Sequence, residues 1–238
     1  MSNCFEYVSL CPLCPQRTLR FLFGPDRLEE KTKKPRRETL NIKNLEFPRE
    51  YLKEKEEVNM AIDLKAAEEK AKKIKLIILD VHGVLTTNDV IYDGQGSRYR
   101  VFNHEDGFGA NALMACGVEI AVITRKSKAT ENRMNDIGIK RFYQTKEKVG
   151  KYLELLEELN ISEEEVSFIG DEIIDMGVMK RVGFAVAPCD GKPDVLKISD
   201  FISEKAGGRG VLREVAEFVL KAQGKWDGFC EKIMNKGW

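Results

Sequence analysis

The 238-residue chain has no run of about 18 apolar residues, which argues against a membrane-spanning helix. Its opening stretch, MSNCFEYVSLCPLCPQ, lacks the basic-then-apolar order of a signal peptide. Cysteine is scarce: six residues are too few for a disulfide scaffold at this length. Three of them, Cys4, Cys11 and Cys14, are crowded at the start. Cys11-Pro-Leu-Cys14 has no second pair nearby, and no histidine precedes His82, so a four-ligand zinc site is not expected there. Reduced thiols and a cytoplasmic location are expected instead. An excess of charge of either sign is missing too, with 39 basic against 39 acidic side chains. No global field draws the molecule to nucleic acid or to an anionic membrane, and neither is expected as a partner.

What is present is ample material for a core. Hydrophobic residues make up 42% of the chain and charged residues 33%. The length allows one full domain with an appendage, or two small domains. The zero net charge is a sum over unlike parts: residues 1–59 hold 12 basic and 10 acidic side chains, residues 60–238 hold 27 and 29. Residues 1–59 show little periodicity, and the stretch Arg27–Glu38, with its Lys33-Lys34-Pro35-Arg36-Arg37 run, reads as solvated linker. A flexible extension is expected over 1–59, a folded domain over 60–228 and a short tail over 229–238.

From Met60 the texture changes. Ala61–Lys73 is a good helix former with Glu–Lys pairs at helical spacing. Lys75–Leu79 follows as a continuous apolar run, the mark of a strand buried on both faces. Further strands are expected at Glu119–Thr124, Val166–Ile169, Phe184–Ala187 and, more weakly, Phe201-Ile202. Helical patterns lie between and after them at Phe108–Ala115, Lys128–Ile137, Lys148–Leu159, Ile174–Val182 and Val211–Gln223. The alternation predicts an α/β fold, a doubly wound parallel sheet between helical layers. One interruption, Val90–Phe102 around Asp93-Gly-Gln-Gly96, reads as a β-hairpin just after the first strand.

Ligands of open parallel sheets bind at the carboxyl ends of the strands. Three polar turns stand there: Asp80-Val-His82-Gly83 after the first strand, Thr124-Arg125-Lys126-Ser127 after the second, and Gly170-Asp171-Glu172-Ile-Ile-Asp175 after the third. Carboxylates brought this close repel one another unless a cation joins them, and hard oxygen donors favour Mg²⁺.

Asp80-x-x-Gly-Val-Leu-Thr86, the Thr124 turn, Lys148 and Gly170-Asp-Glu-x-x-Asp175 resemble the four motifs of haloacid dehalogenase-type phosphatases. Asn103-His-Glu-Asp-Gly107, Met179-Lys-Arg-Val-Gly183 and Ala206-Gly-Gly-Arg-Gly210 are similar to the capless subgroup that acts on 3-deoxy-D-manno-octulosonate (KDO) 8-phosphate. The resemblance spans about residues 60–228. It implies a HAD-like, Rossmann-type three-layer fold with a hairpin flap in place of a large cap. It also implies a Mg²⁺-dependent phosphatase of lipopolysaccharide sugar synthesis with Asp80 as nucleophile, Thr124 and Lys148 on the phosphoryl group and His82 in proton transfer. Mg²⁺ would be held by Asp80, the His82 carbonyl and Asp171, with Glu172 and Asp175 close by or acting through water. Arg125, Lys126 and Arg209 would meet the anionic substrate, a small-molecule sugar phosphate, within a homotetramer.

The chain departs from the family pattern at several points. His82 stands where the family has an acid–base Asp. Thr124 runs directly into Arg125 where the family places Gly. Glu172 replaces an Asp, and the interval from Gln144 to Lys148 is one residue short, which leaves Lys146 and Lys151 as alternatives to Lys148. Three readings stay open: a KDO 8-phosphate phosphatase, a phosphatase for a nine-carbon 2-keto acid 9-phosphate, and a degenerate binding or assembly module.

Overall fold

The computed structural model describes residues 62–237. The expected extension 1–59, with its cysteines and basic run, lies outside the described residues. The first helix, α1 (Leu64–Ala71), starts at Asp63, whose carboxylate accepts the backbone N–H groups of Lys65 and Ala66. It buries Ala67 and Ala71, small residues that let the helix lie close to its neighbours. β1 (Leu76–Leu79) follows and is wholly buried, as the unbroken apolar run requires. A two-stranded antiparallel hairpin comes next, β2 (Ile91–Tyr92) paired with β3 (Arg98–Tyr99).

The remaining chain alternates as the apolar periods predict. In order come α2 (His104–Ala115), β4 (Glu119–Thr124), α3 (Lys128–Asp136), β5 (Arg141–Gln144) and α4 (Lys148–Leu159). They are followed by β6 (Val166–Ile169), a 3-10 turn at Ile173–Asp175, α5 (Met176–Met179), β7 (Phe184–Ala187) and α6 (Pro193–Leu196). β8 (Phe201–Ile202), α7 (Val211–Ala222) and α8 (Trp226–Lys236) complete the chain. The strands form one sheet in the order β5-β4-β1-β6-β7-β8, and every pairing is parallel. β1 sits between β4 and β6, so the turns after these three strands open at one place. That is where the acidic and basic turns of the sequence lie.

Two apolar layers flank the sheet. Ile77 and Leu79 point to one layer with α2 and α7; Leu76 and Ile78 point to the other with α4 and α5. The near-perfect alternation follows from the two-residue period of a strand. Phe184, Phe201 and Phe218 stack in the first layer, with Phe201 and Phe218 centroids 4.5 Å apart.

Three features differ from the sequence expectation. β5 is an edge strand with half-buried Arg-Phe-Tyr, and its mixed pattern gives no apolar run to read. The 174–182 stretch divides into a 3-10 turn and the short α5, because Asp175 turns inward. Residues 229–236, expected as tail, belong to α8, whose Phe229 is buried and meets Phe108 edge-to-face at 5.9 Å. Among the described residues, no helix is long and apolar enough to cross a membrane.

Candidate active site

Asp80 is the first residue past β1 and is buried. One carboxylate oxygen accepts the Val81 N–H at 2.7 Å; the other lies 3.0 Å from Lys148 Nζ. Lys148 opens α4 and is itself buried, with Nζ also 2.6 Å from Asp175 Oδ1. The short Gln144–Lys148 interval therefore still delivers this lysine, rather than Lys146 or Lys151, between the two carboxylates. Asp175 is fully buried, and its other oxygen accepts the N–H groups of Asp171 and Glu172 at 3.2 and 3.3 Å. Gly170 leaves room for it, since a Cβ there would stand 2.5 Å from the Asp175 side chain.

Asp171 completes the cluster. Its Oδ2 accepts from Asn88 Nδ2 at 3.0 Å, while Oδ1 is buried with no hydrogen-bond partner among the described residues. Gly83 makes its position possible: the backbone there has φ +79°, and a Cβ would fall 2.0 Å from Asp171 Oδ2. Ligand oxygens of Asp80, Asp171 and Asp175 all lie within 4.8 Å of one another. Burial pushes the Asp171 carboxyl up to about 7, with Asp175 and Asp80 adding repulsion, and burial likewise raises Asp175. For Lys148 burial works downward, but the attraction of Asp80 and Asp175 outweighs it and raises the amine. Three buried carboxylates against one ammonium leave a surplus of negative charge and an orphaned oxygen. This all-oxygen set fits a hard divalent cation such as Mg²⁺.

Of the expected metal set, the Glu172 carboxylate is outside the group of close oxygens, although it lines the cavity beside them. The Glu172 carboxylate turns to its own 3-10 turn and accepts the Ile173 N–H at 2.9 Å, so it serves as a cap. The His82 imidazole is half-buried above the cluster, with Nε2 lacking a partner among the described residues. Burial lowers its pKa, and the nearby Arg100 guanidinium lowers it further, so the neutral ring is favoured. Thr124 ends β4 with its hydroxyl fully buried and similarly unpartnered.

Asp80, His82, Lys148, Asp171 and Glu172 line a cavity of about 600 Å³, with the fully buried Thr124 and Asp175 outside its lining. Its walls are basic: Arg125, Lys126 and Lys128 follow β4, and Arg98 and Arg100 come from the hairpin. The hairpin arginines and Asn88 escaped sequence reading, although the Arg98-Tyr-Arg100 spacing carries the signal, because alternate strand residues share a face. Arg209 is not among the residues of this cavity and is exposed. Its loop packs against the nucleophile turn, with the Gly208 N–H donating to Val84 O at 2.8 Å.

A haloacid dehalogenase-like hydrolase family model matches residues 126–215. The chain is 41% identical over 160 residues to the 3-deoxy-D-manno-octulosonate 8-phosphate phosphatase of Escherichia coli K12, covering 66% of this chain and 85% of that protein. A crystal structure of the Moraxella catarrhalis 3-deoxy-D-manno-octulosonate 8-phosphate phosphatase, in complex with magnesium, phosphate and KDO, superposes with a TM-score of 0.70 at 33% identity. That match covers 72% of this chain and 99% of the other. The cobalt-bound form of the Haemophilus influenzae phosphatase gives a TM-score of 0.63 at 33% identity, covering 66% and 92%.

Proposed function

The chain belongs to the haloacid dehalogenase-like hydrolases, in their 3-deoxy-D-manno-octulosonate 8-phosphate phosphatase branch, and from that membership we propose that it hydrolyses KDO 8-phosphate to KDO and inorganic phosphate. The observation that carries the reading is the buried Asp80–Lys148–Asp175 arrangement under a cation-walled cavity. Asp80 is the nucleophile. Its carboxylate oxygen attacks phosphorus, the bond from phosphorus to the sugar oxygen breaks, and an aspartyl-phosphate forms on Asp80. Water then attacks that phosphorus, releasing phosphate and restoring the carboxylate.

The other side chains hold the reacting groups. Lys148 steers the Asp80 oxygen and offsets charge on the phosphoryl group. The free Thr124 hydroxyl donates to a phosphoryl oxygen. His82, two residues after the nucleophile, takes up in its neutral form the proton that the attacking water loses, while the leaving oxygen is protonated from solvent. Asp80, Asp171 and Asp175 are the residues that hold Mg²⁺, which supplies positive charge against the repulsion between an anionic nucleophile and an anionic ester. Arg125 and Lys126, with the hairpin residues Arg98 and Arg100, meet the anionic remainder of the substrate, a sugar carboxylate.

Seven exposed apolar side chains, Val90, Ile91, Tyr92, Tyr99 and Val101 of the hairpin region with Ile173 and Ile174 beside the cavity, support an oligomer closing the site, a homotetramer. Phosphate release from a panel of acidic and neutral sugar phosphates, with Mg²⁺, tests the function. Wild type is expected to turn over KDO 8-phosphate, and Asp80→Asn to lose about a thousandfold or more. A wild type silent on every substrate, with turnover gained by His82→Asp, would mean a degenerate enzyme.

A further inference from the structure

Asp106, in the first turn of α2, is a buried carboxylate outside the cavity that the chemistry above does not use. Its Oδ1 accepts the backbone N–H groups of Leu212 at 2.9 Å and Arg213 at 3.3 Å. These are first-turn donors of α7, which no carbonyl of their own helix can satisfy. The residue before α7 is Gly210, at φ +97°, which has no side chain to cap with, so the cap comes from another helix. Oδ2 is buried with no partner among the described residues. Keeping such a group inside costs desolvation, which one helix cap alone poorly offsets.

The loop just before α7 shows what is gained. At Gly207 a Cβ would stand 2.1 Å from the carbonyl oxygen of Gly83, and at Gly208 one would stand 2.5 Å from the Thr87 nitrogen. The Gly208 N–H donates to Val84 O at 2.8 Å, and the Gly207 N–H to Asp190 Oδ1 at 2.9 Å. Backbone thus lies against backbone at the turn 81–87, where Gly83 also abuts Asp171. Asp106 anchors the downstream end of this loop to α2.

We propose that Asp106 is a positioning residue: by capping α7 from α2 it holds the 206–210 loop against the nucleophile turn and so sets where Gly83 and Asp171 stand relative to Asp80. The role rests on the phosphatase reading, and it touches neither substrate nor metal. Loosening the loop leaves the basic walls in place, so it acts on turnover more than on substrate capture. Steady-state kinetics per folded molecule and amide exchange at Gly208 are compared in wild type, Asp106→Ala and Asp106→Asn. Asp106→Ala is expected to lower kcat about tenfold or more with KM within about twofold. Its Gly208 amide is expected to exchange about tenfold faster. Asp106→Asn retains an acceptor for both N–H groups and is expected to recover kcat to within about threefold of wild type. If Asp106→Ala does not fold, Asp106→Ser takes its place under the same criteria. A lowered Tm with kcat and Gly208 exchange both unchanged overturns the proposal and leaves Asp106 a helix cap only. A wild type without phosphatase activity would remove the phosphatase reading instead, and the exchange comparison would still decide the docking role.

Discussion

Lys148 stands within hydrogen-bond reach of two buried carboxylates, and its removal is a test of the charge balance at the centre of the site. Without it, Asp80, Asp171 and Asp175 face one another uncompensated in a medium that solvates charge poorly. Lys148→Ala is expected to lose about 3–5 kcal/mol of stability in the presence of a chelator, the range for breaking a buried pair. Mg²⁺ is expected to restore much of that loss, since a cation bound to the folded state alone stabilises it by mass action. Urea denaturation with Mg²⁺ or with chelator reads both effects. A variant equally stable under both conditions would mean that the three carboxylates do not share a cation. His82 belongs to this scale as well: burial and the nearby Arg100 guanidinium favour its neutral imidazole.

Among the elements, the hairpin links charge to shape. Asp93 fixes its turn by accepting the N–H groups of Gln95 and Ser97, both at 2.8 Å, and the Tyr99 hydroxyl at 3.0 Å. Tyr92 pairs with Arg98 across the two strands, and Arg98 and Arg100 both line the cavity. Arg100 is held by the Asp89 carbonyl at 2.9 Å, so its guanidinium is already oriented beside the cavity. Arg98→Ala and Arg100→Ala are each expected to raise KM for KDO 8-phosphate about tenfold, the worth of one hydrogen bond to a charged group. KM for a sugar phosphate without a carboxylate is expected to change little. Equal losses on both substrates would assign the arginines to the phosphate or to general attraction.

At the scale of the whole fold, the described residues form an α/β sandwich with one crowded end. The crossovers bring the carboxyl ends of β1, β4 and β6 side by side, and both apolar layers end beneath them. Around that end the surface turns apolar, with Tyr92 61% and Ile173 59% exposed. Water-facing side chains of this size are more stable against a second copy. Ile91→Lys places a charge in the hairpin patch and is expected to shift the proposed tetramer to smaller species, measured by light scattering on a sizing column. An unchanged mass would place the interface elsewhere.

Much of this was legible in the chain itself. Continuous apolar runs ending in Asp80 and Thr124 and before Gly170-Asp171 announce buried parallel strands, because only a strand covered on both faces dispenses with alternation. Polar turns at their ends then locate the site. Less legible was whatever depends on distance across the fold. The sequence favours Lys148 but leaves Lys146 and Lys151 as alternatives, since only the start of α4 relative to β1 fixes which amine reaches Asp80. It could not separate Asp175, drawn in as acceptor for two backbone N–H groups, from Glu172, whose own cap turns it away. β5 escaped because an edge strand needs only partial burial. Sequence alone determined the order of elements and the turns that carry the chemistry, through local patterns of burial and charge. The tertiary structure decided which side chains meet, because packing and desolvation act between residues far apart in the chain.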